Sequence, residues 1–198
     1  MFRLNRPYAK YLRAAAVMIG GLVIGLLATL ISLNSGYGFG ALRAGSWIAW
    51  PNIGGSDVDP YARAVIARSG EAPLARDQGL AFTAAEDASG APLDGACEYS
   101  IVDPVPTARF WTLSLATPNG GLIDNSTGRY GFSSAELLRR EGGAFTISIS
   151  RNARAGNWLS PGDARRFVLL LRLYDTPFDT DARPDPTNFP KIVKLKCA

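Results

Sequence analysis

An unbroken apolar run near the N-terminus is followed by a chain in which apolar and polar residues mostly alternate. Residues 14–33 contain no charged side chain. As a helix that rises about 1.5 Å per residue, this segment spans about 30 Å, the thickness of the hydrocarbon core of a bilayer. The run therefore predicts a transmembrane anchor at 14–33.

A cleaved signal peptide is the alternative interpretation of this run. The apolar part of a signal peptide usually has about 7 to 15 residues and ends at a small-x-small cleavage site. The run here is longer, and Leu33, Asn34 and Ser35 make a poor cleavage site. The pattern favours an uncleaved anchor, and cleavage stays open.

Beyond the anchor, alternation with period two predicts a mainly β domain. The segment 167–174 is apolar on nearly both faces and predicts a central strand, whereas 191–197 predicts an edge strand with Lys194 and Lys196 in water. Further strands are predicted at 80–85, 97–102, 109–116 and 145–150.

Two short helices complete the predicted fold. Asp59 and Pro60 suit the start of a helix that Gly70 would end. Ser133 and Glu136 have the spacing of a capping box, which predicts a second helix that ends at Gly142. Short strands with long polar connections predict a jelly-roll-like β-sandwich, preceded by one transmembrane helix.

The charge pattern divides the chain into four regions and orients it. They are a basic tail at 1–13, the anchor at 14–33, a juxtamembrane linker at 34–50 and a β-sandwich at 51–198. The tail contains no acid and four basic residues, Arg3, Arg6, Lys10 and Arg13. A basic flank stays in the cytoplasm. We therefore expect a single-pass membrane protein with a cytoplasmic N-terminus and an exported C-terminal domain.

The formal net charge of +4 does not indicate a nucleic-acid partner. The tail holds four of the 21 Lys and Arg residues, which leaves 17 against 17 acids in the rest of the chain. The expected partner is the bilayer through residues 14–33, and nucleic acid is not expected. A protein or small-molecule partner stays unspecified.

Residue types exclude several kinds of chemistry. The chain has no histidine and two cysteines. These counts exclude Ser-His-Asp and Cys-His mechanisms, the usual histidine-ligated zinc sites and a four-thiolate site. Asp179, Asp181, Arg183 and Asp185 resemble the start of a calcium loop but lack its glycine and its final glutamate. No cofactor or metal is predicted.

Cys97 and Cys197 are predicted to form a disulfide. Cys97, Tyr99 and Ile101 share the apolar face of one predicted strand. Val193, Leu195 and Cys197 share the corresponding face of the last strand, so that both thiols point to the core side. An exported compartment is oxidising, and two buried free thiols are the alternative.

Arg172 is the most unusual residue for a binding site, because it interrupts an apolar strand. A structural ion pair is one interpretation. An anion-binding group at the mouth of a pocket is the other, with Tyr174, Trp111 and Trp158 as lining residues. No catalytic residue is predicted, although an enzyme that uses carboxylates such as Asp103 or Asp124 stays the alternative to a binding module.

Five short motifs carry a family resemblance: GSW at 45–47, DPYARA at 59–64, RFWTL at 109–113, NWL at 157–159 and RLY at 172–174. With them the chain resembles the bacterial domain-of-unknown-function family 1214. The resemblance implies a jelly-roll-like all-β domain, often the C-terminal half of larger two-domain envelope proteins, and it implies no established activity. With a bacterial family, the expected location is the inner membrane, with the C-terminal domain in the periplasm. A membrane-anchored binding or envelope-structural module is the leading hypothesis, ahead of a carboxylate-dependent hydrolase or carbohydrate-active enzyme.

Overall fold

The computed structural model describes residues 6–34, 40–54, 58–69, 74–75, 78–177 and 184–197. The chain forms two compact units, residues 1–38 and residues 39–198. In the first unit, helix α1 runs over Arg6–Asn34. Its stretch Tyr8–Ser32 is long and apolar enough to cross a membrane, a test that a signal sequence also passes. The predicted apolar helix is confirmed, while its role as an anchor and its orientation stay predictions.

The second unit is mainly β, as predicted. Its described part contains a helix α2 at Pro60–Ser69 and two sheets in a sandwich-like arrangement. The strands are β1 Leu42–Ala44, β2 Trp47–Ala49, β3 Gly79–Ala84, β4 Cys97–Val102, β5 Phe110–Ala116, β6 Gly131–Ser133, β7 Thr146–Ile149, β8 Asn157–Leu159, β9 Val168–Tyr174 and β10 Lys191–Cys197. One sheet has the order β1-β2-β3-β9-β5-β6, and the other has the order β10-β4-β7-β8.

Strand β9 is central, as the apolar pattern predicts, and lies antiparallel between β3 and β5. Alternate side chains enter the core between the sheets, where Tyr99 meets Phe167 edge to face at 5.8 Å. On the other face of β9, Val168 and Leu170 form a small buried cluster with Ala116. Both faces of the first half of β9 are therefore buried, which is why the start of this strand lacks a clean alternation.

The β domain begins earlier than the predicted boundary at residue 51. Strands β1 and β2 lie inside the predicted linker 34–50. Strand β1 pairs with β2, and β2 pairs with β3. The buried Trp47 donates its indole N–H to the carbonyl of Pro190 at 2.8 Å. Residues 42–49 therefore belong to the sheet. Residues 35–39 of the predicted linker and residues 1–5 of the basic tail lie outside the described residues.

The helix predicted at 60–69 is confirmed, with Gly70 outside the described residues. The helix predicted from Ser133 to Gly142 is wrong. Glu136 does accept hydrogen bonds from the amide and hydroxyl of Ser133, at 3.0 and 2.9 Å, but they close a turn after β6. Gly142 and Gly143 both have φ of 84°, in the left-handed region that ends a right-handed helix.

Strand β10 is an edge strand, as predicted, but its predicted inward face is wrong. Ile192 is buried, whereas Val193 and Leu195 are 40% and 60% exposed. A β-bulge lies between Lys194 and Lys196, and both of these lysines are exposed as predicted. The extra residue of a bulge shifts the alternation by one.

The disulfide between Cys97 and Cys197 is confirmed. The two residues face each other in the β4–β10 ladder, beyond the bulge. Without the bulge, Cys197 would lie on the same face as Val193 and Leu195, which point away from the core. The bulge therefore aligns the two sulfurs, which a regular strand would not do.

Candidate functional site

Three segments meet at one end of the sandwich and enclose a pocket of about 280 Å³. The segments are the turn that follows β4, the start of β5 and the loop that leads into β7. They meet because the end of β4 pairs with the start of β7, at Val102 and Thr146. The lining side chains that matter chemically are Asp103, Val105, Trp111, Arg139 and Phe145.

Trp111 and Phe145 form the aromatic floor of the pocket. Their rings lie 5.3 Å apart at 33°, and Trp111 is only 7% exposed. The carbonyl of Trp111 accepts a hydrogen bond from the amide of Ser134 at 2.8 Å. This bond ties the floor to the chain segment that leads to Arg139.

Arg139 forms one wall of the pocket. Its guanidinium lies 5.5 Å from the centre of the Phe145 ring, as in a cation–π contact. Nη1 donates to the carbonyl of Gly143 at 2.9 Å, and Nη2 donates to that of Ser134 at 3.4 Å. Within the described part of the chain, no carboxylate forms an ion pair with Arg139. Among the described residues, the groups that hold the guanidinium are therefore neutral ones.

Asn157 holds the backbone of the residue that precedes Arg139. It is 5% exposed, and its Oδ1 accepts from the amide of Leu138 at 2.8 Å. Its Nδ2 donates to the carbonyls of Leu138 and Thr146 at 2.8 and 3.1 Å. Both backbone groups of the residue before Arg139 are thus clamped to the four-stranded sheet.

Asp103 also lines the pocket and is half-buried. Among the described residues its carboxylate has no hydrogen-bond partner and no ion-pair partner, and it does not pair with Arg139. The pocket therefore holds one carboxylate and one guanidinium that do not neutralise each other.

Residues 78–178 match the family model described as "Protein of unknown function (DUF1214)". The chain belongs to the DUF1214 family. This confirms the resemblance carried by the short motifs. The whole pocket of this DUF1214 domain lies inside the matched region.

Two solved structures are similar to this DUF1214 chain. The first is the VPA0106 protein from Vibrio parahaemolyticus, with a TM-score of 0.55 and 21% identity over 71% of this chain and 36% of that one. The second is an uncharacterised protein from Burkholderia cenocepacia, with a TM-score of 0.41 and 21% identity over 64% of this chain and 32% of that one. The chain thus spans about a third of each of these proteins, and the first likeness supports the fold alone. The comparison with curated proteins gave no match.

Of the four binding residues predicted from the sequence, only Trp111 lines the pocket described above. Trp111 points into the core beside Leu173, whereas Arg172 and Tyr174 lie on the opposite face of the same sheet. Tyr174 packs there against Phe110, with ring centres 5.7 Å apart. Arg172 is half-buried and is not without an interaction partner.

Trp158 lies on the outer face of the four-stranded sheet and donates its indole N–H to the carbonyl of Ser150 at 2.8 Å. Of the two candidate carboxylates, Asp103 lines the pocket, and Asp124 is exposed elsewhere. Sequence reasoning missed Arg139, Phe145 and Asn157. The only signal for Asn157 was an amide in the NWL motif, at a position where the alternation places a buried side chain.

Proposed function

We propose that this DUF1214 chain is a membrane-anchored binding module, whose periplasmic β-sandwich takes a small molecule in the pocket above Trp111. The observation that carries the proposal is the Asp103 carboxylate, which lines the pocket, is open to water and has no partner among the described residues. A ligand that covers this carboxylate must replace its water with a partner, because a charged group that loses water without one costs free energy. A ligand in the pocket would supply that partner.

The composition of the pocket favours binding over hydrolysis. A glycosidase normally uses two carboxyl groups on either side of the scissile bond. The lining residues include one carboxylate, Asp103, since Asp124 lies elsewhere. The carboxylate-dependent hydrolase is therefore the less favoured function.

The anchor and the periplasmic location rest on two features. Helix α1 is long enough to cross a membrane, and basic residues without any acid precede its apolar part. The disulfide supports an oxidising compartment, because such bonds are rare where thiols are kept reduced.

A thermal-shift screen of the full-length chain in nanodiscs, with a library of small polar metabolites, tests the binding function. We expect at least one compound to raise the unfolding temperature of the wild type and of Asp124→Asn, the control for charge removal. The same compound should have no effect on Asp103→Asn. A library without any stabilising compound, or only compounds that stabilise Asp103→Asn equally, would contradict the proposal.

A further inference from the structure

The two charges of the pocket define what a bound molecule must offer. Asp103 presents a carboxylate without a partner among the described residues, and Arg139 presents a guanidinium that contacts only carbonyl oxygens and the Phe145 ring. A neutral molecule that covers these groups would displace water from both without pairing either charge. A ligand with one positive and one negative group would pair both.

The aromatic floor offers little area for stacking. Trp111 is 7% exposed, Phe145 is 4% exposed, and the guanidinium of Arg139 covers the ring of Phe145. Recognition by stacking needs an open ring face. The charged groups of the ligand, rather than an apolar face, must therefore supply most of the specificity.

The pocket is also small and open at its rim. Its volume of about 280 Å³ lies just below the range of about 300–1,000 Å³ that is typical of small-molecule sites. Gly142 and Gly143 lie on the rim, and a Cβ at either would meet nothing within 4 Å. This loop therefore leaves the entrance of the pocket open to a molecule of a few heavy atoms.

We infer that the ligand is a small zwitterion of the free amino acid class, with its ammonium group on Asp103 and its carboxylate on Arg139. This inference rests on the proposed function of the pocket. Arginine has five N–H donors, so Arg139 keeps donors for a carboxylate after its two backbone contacts. Both contacts would be charge-assisted hydrogen bonds, the strong kind.

Calorimetric titration of the full-length chain in nanodiscs tests the charge requirement directly. The probes are a panel of free amino acids, the N-acetyl derivative and the amide of the tightest binder, and glucose as an uncharged polyol. The N-acetyl derivative lacks the ammonium group, and the amide lacks the carboxylate. We expect each derivative to bind at least about tenfold more weakly than the amino acid, the loss typical of a charge-assisted hydrogen bond. Glucose should not bind.

Two variants assign each end of the ligand to its residue. Asp103→Asn should weaken binding of the amino acid and its amide about tenfold, without affecting the N-acetyl derivative. Arg139→Gln should weaken binding of the amino acid and the N-acetyl derivative, without affecting the amide. Asp124→Asn and Arg140→Gln remove the same charges outside the pocket lining and should bind like the wild type. The derivatives test the inference on the wild type even if a variant does not fold.

The outcomes separate the ligand class from the function. One outcome is that an uncharged compound such as glucose binds, that Asp103→Asn weakens this binding, and that the amino acids do not bind. In that case the zwitterionic ligand is wrong, and the pocket is still a binding site. Amino acid binding with the same affinity in the wild type, Asp103→Asn and Arg139→Gln would also contradict the zwitterionic ligand. If the metabolite library also yields no compound sensitive to Asp103→Asn, the proposed function fails too.

Discussion

Among single residues, the hydrogen bonds of a carboxylate show whether it stabilises the fold or remains available to bind a ligand. Asp87 is 2% exposed, and its Oδ1 accepts from the amide and hydroxyl of Ser89 and from the amide of Ala91, at 2.8, 2.5 and 3.1 Å. Its backbone carbonyl also accepts from the hydroxyl of Ser46 at 2.8 Å. Asp103 has no such bonds among the described residues, so the two acids have different roles.

The pKa of Asp87 leads to a pH prediction. Burial opposes its ionisation, but the hydrogen bonds from Ser89 and Ala91 and the nearby Lys194 charge together lower the pKa. A lowered pKa in the folded state adds stability above the unfolded carboxyl value of about 3.9, and this stability is lost as the pH falls below that value. Asp87→Asn should lower the free energy of unfolding by about 1–3 kcal/mol at pH 7.

Denaturant titrations of the full-length chain between pH 3 and pH 7 measure this effect. The variant should lose less stability than the wild type as the pH falls through the acid range, because it lacks the titrating group. Asp124→Asn is the exposed control and should follow the wild type. An unchanged acid dependence in Asp87→Asn would show that this carboxyl does not stabilise the fold.

At the level of elements, β10 shows how one extra residue changes which side chains a strand buries. Before the bulge, Ile192 pairs with Ile101 and faces the core. After the bulge, Cys197 takes the corresponding position opposite Cys97. Leu195 lies at the register shift and is exposed.

Alanine substitutions in β10 test this register. Ile192→Ala should lower the free energy of unfolding by about 2–5 kcal/mol, because it leaves a cavity in the core. Leu195→Ala removes the same number of carbons from a mostly exposed site. It should change the free energy of unfolding by about 0.5 kcal/mol or less. The reverse order in equilibrium denaturation would favour a regular strand without the bulge.

The disulfide gives a second prediction for β10. It joins residues 100 positions apart and closes the part of the chain from β4 to β10 into one loop. The chain-entropy model assigns about 4–5 kcal/mol to a loop of this length. The double variant Cys97→Ser with Cys197→Ser should lose a comparable free energy of unfolding. Alkylation before and after reduction is the check: two alkylated cysteines in the unreduced, exported protein would contradict the bond.

For the whole molecule, the distribution of charge has its clearest consequence in topology. All of the excess positive charge precedes the apolar part of α1, and the rest of the chain is neutral in sum. Such a basic flank is retained in the cytoplasm during insertion. The β domain would then be exported, where its disulfide can form and persist.

A reporter fused after Ala198 tests this topology. A periplasmic reporter should be active and a cytoplasmic one inactive, and the intact mass of the membrane protein should include α1. In a matched variant, glutamine replaces Arg3, Arg6, Lys10 and Arg13. This variant should have a smaller fraction of molecules with a periplasmic C-terminus. A fusion active only in the cytoplasm would overturn the topology, and a shortened mass would indicate a cleaved signal.

Elements defined by local periodicity were predictable from the sequence. The apolar length of α1, the alternation of β3, β4 and β5, and the doubly apolar pattern of β9 each depend on neighbours a few residues apart. The polar residues that start α2 act locally as well. Of the pocket, local pattern supplied Trp111 on a core face and Asp103 as a candidate acid, but not their proximity.

Contacts between distant segments decided the rest. Whether β1 and β2 join the sheet depends on β3, more than 30 positions later, and the segment after Ser133 turns away because β6 pairs with β5. Strand register places Trp111 opposite Leu173, so that Arg172 lies on the other face of the sheet. Asp103, Arg139 and Phe145 meet because β4 and β7 pair at Val102 and Thr146. Side-chain periodicity is a property of one strand, whereas register and site assembly depend on how separate strands pack.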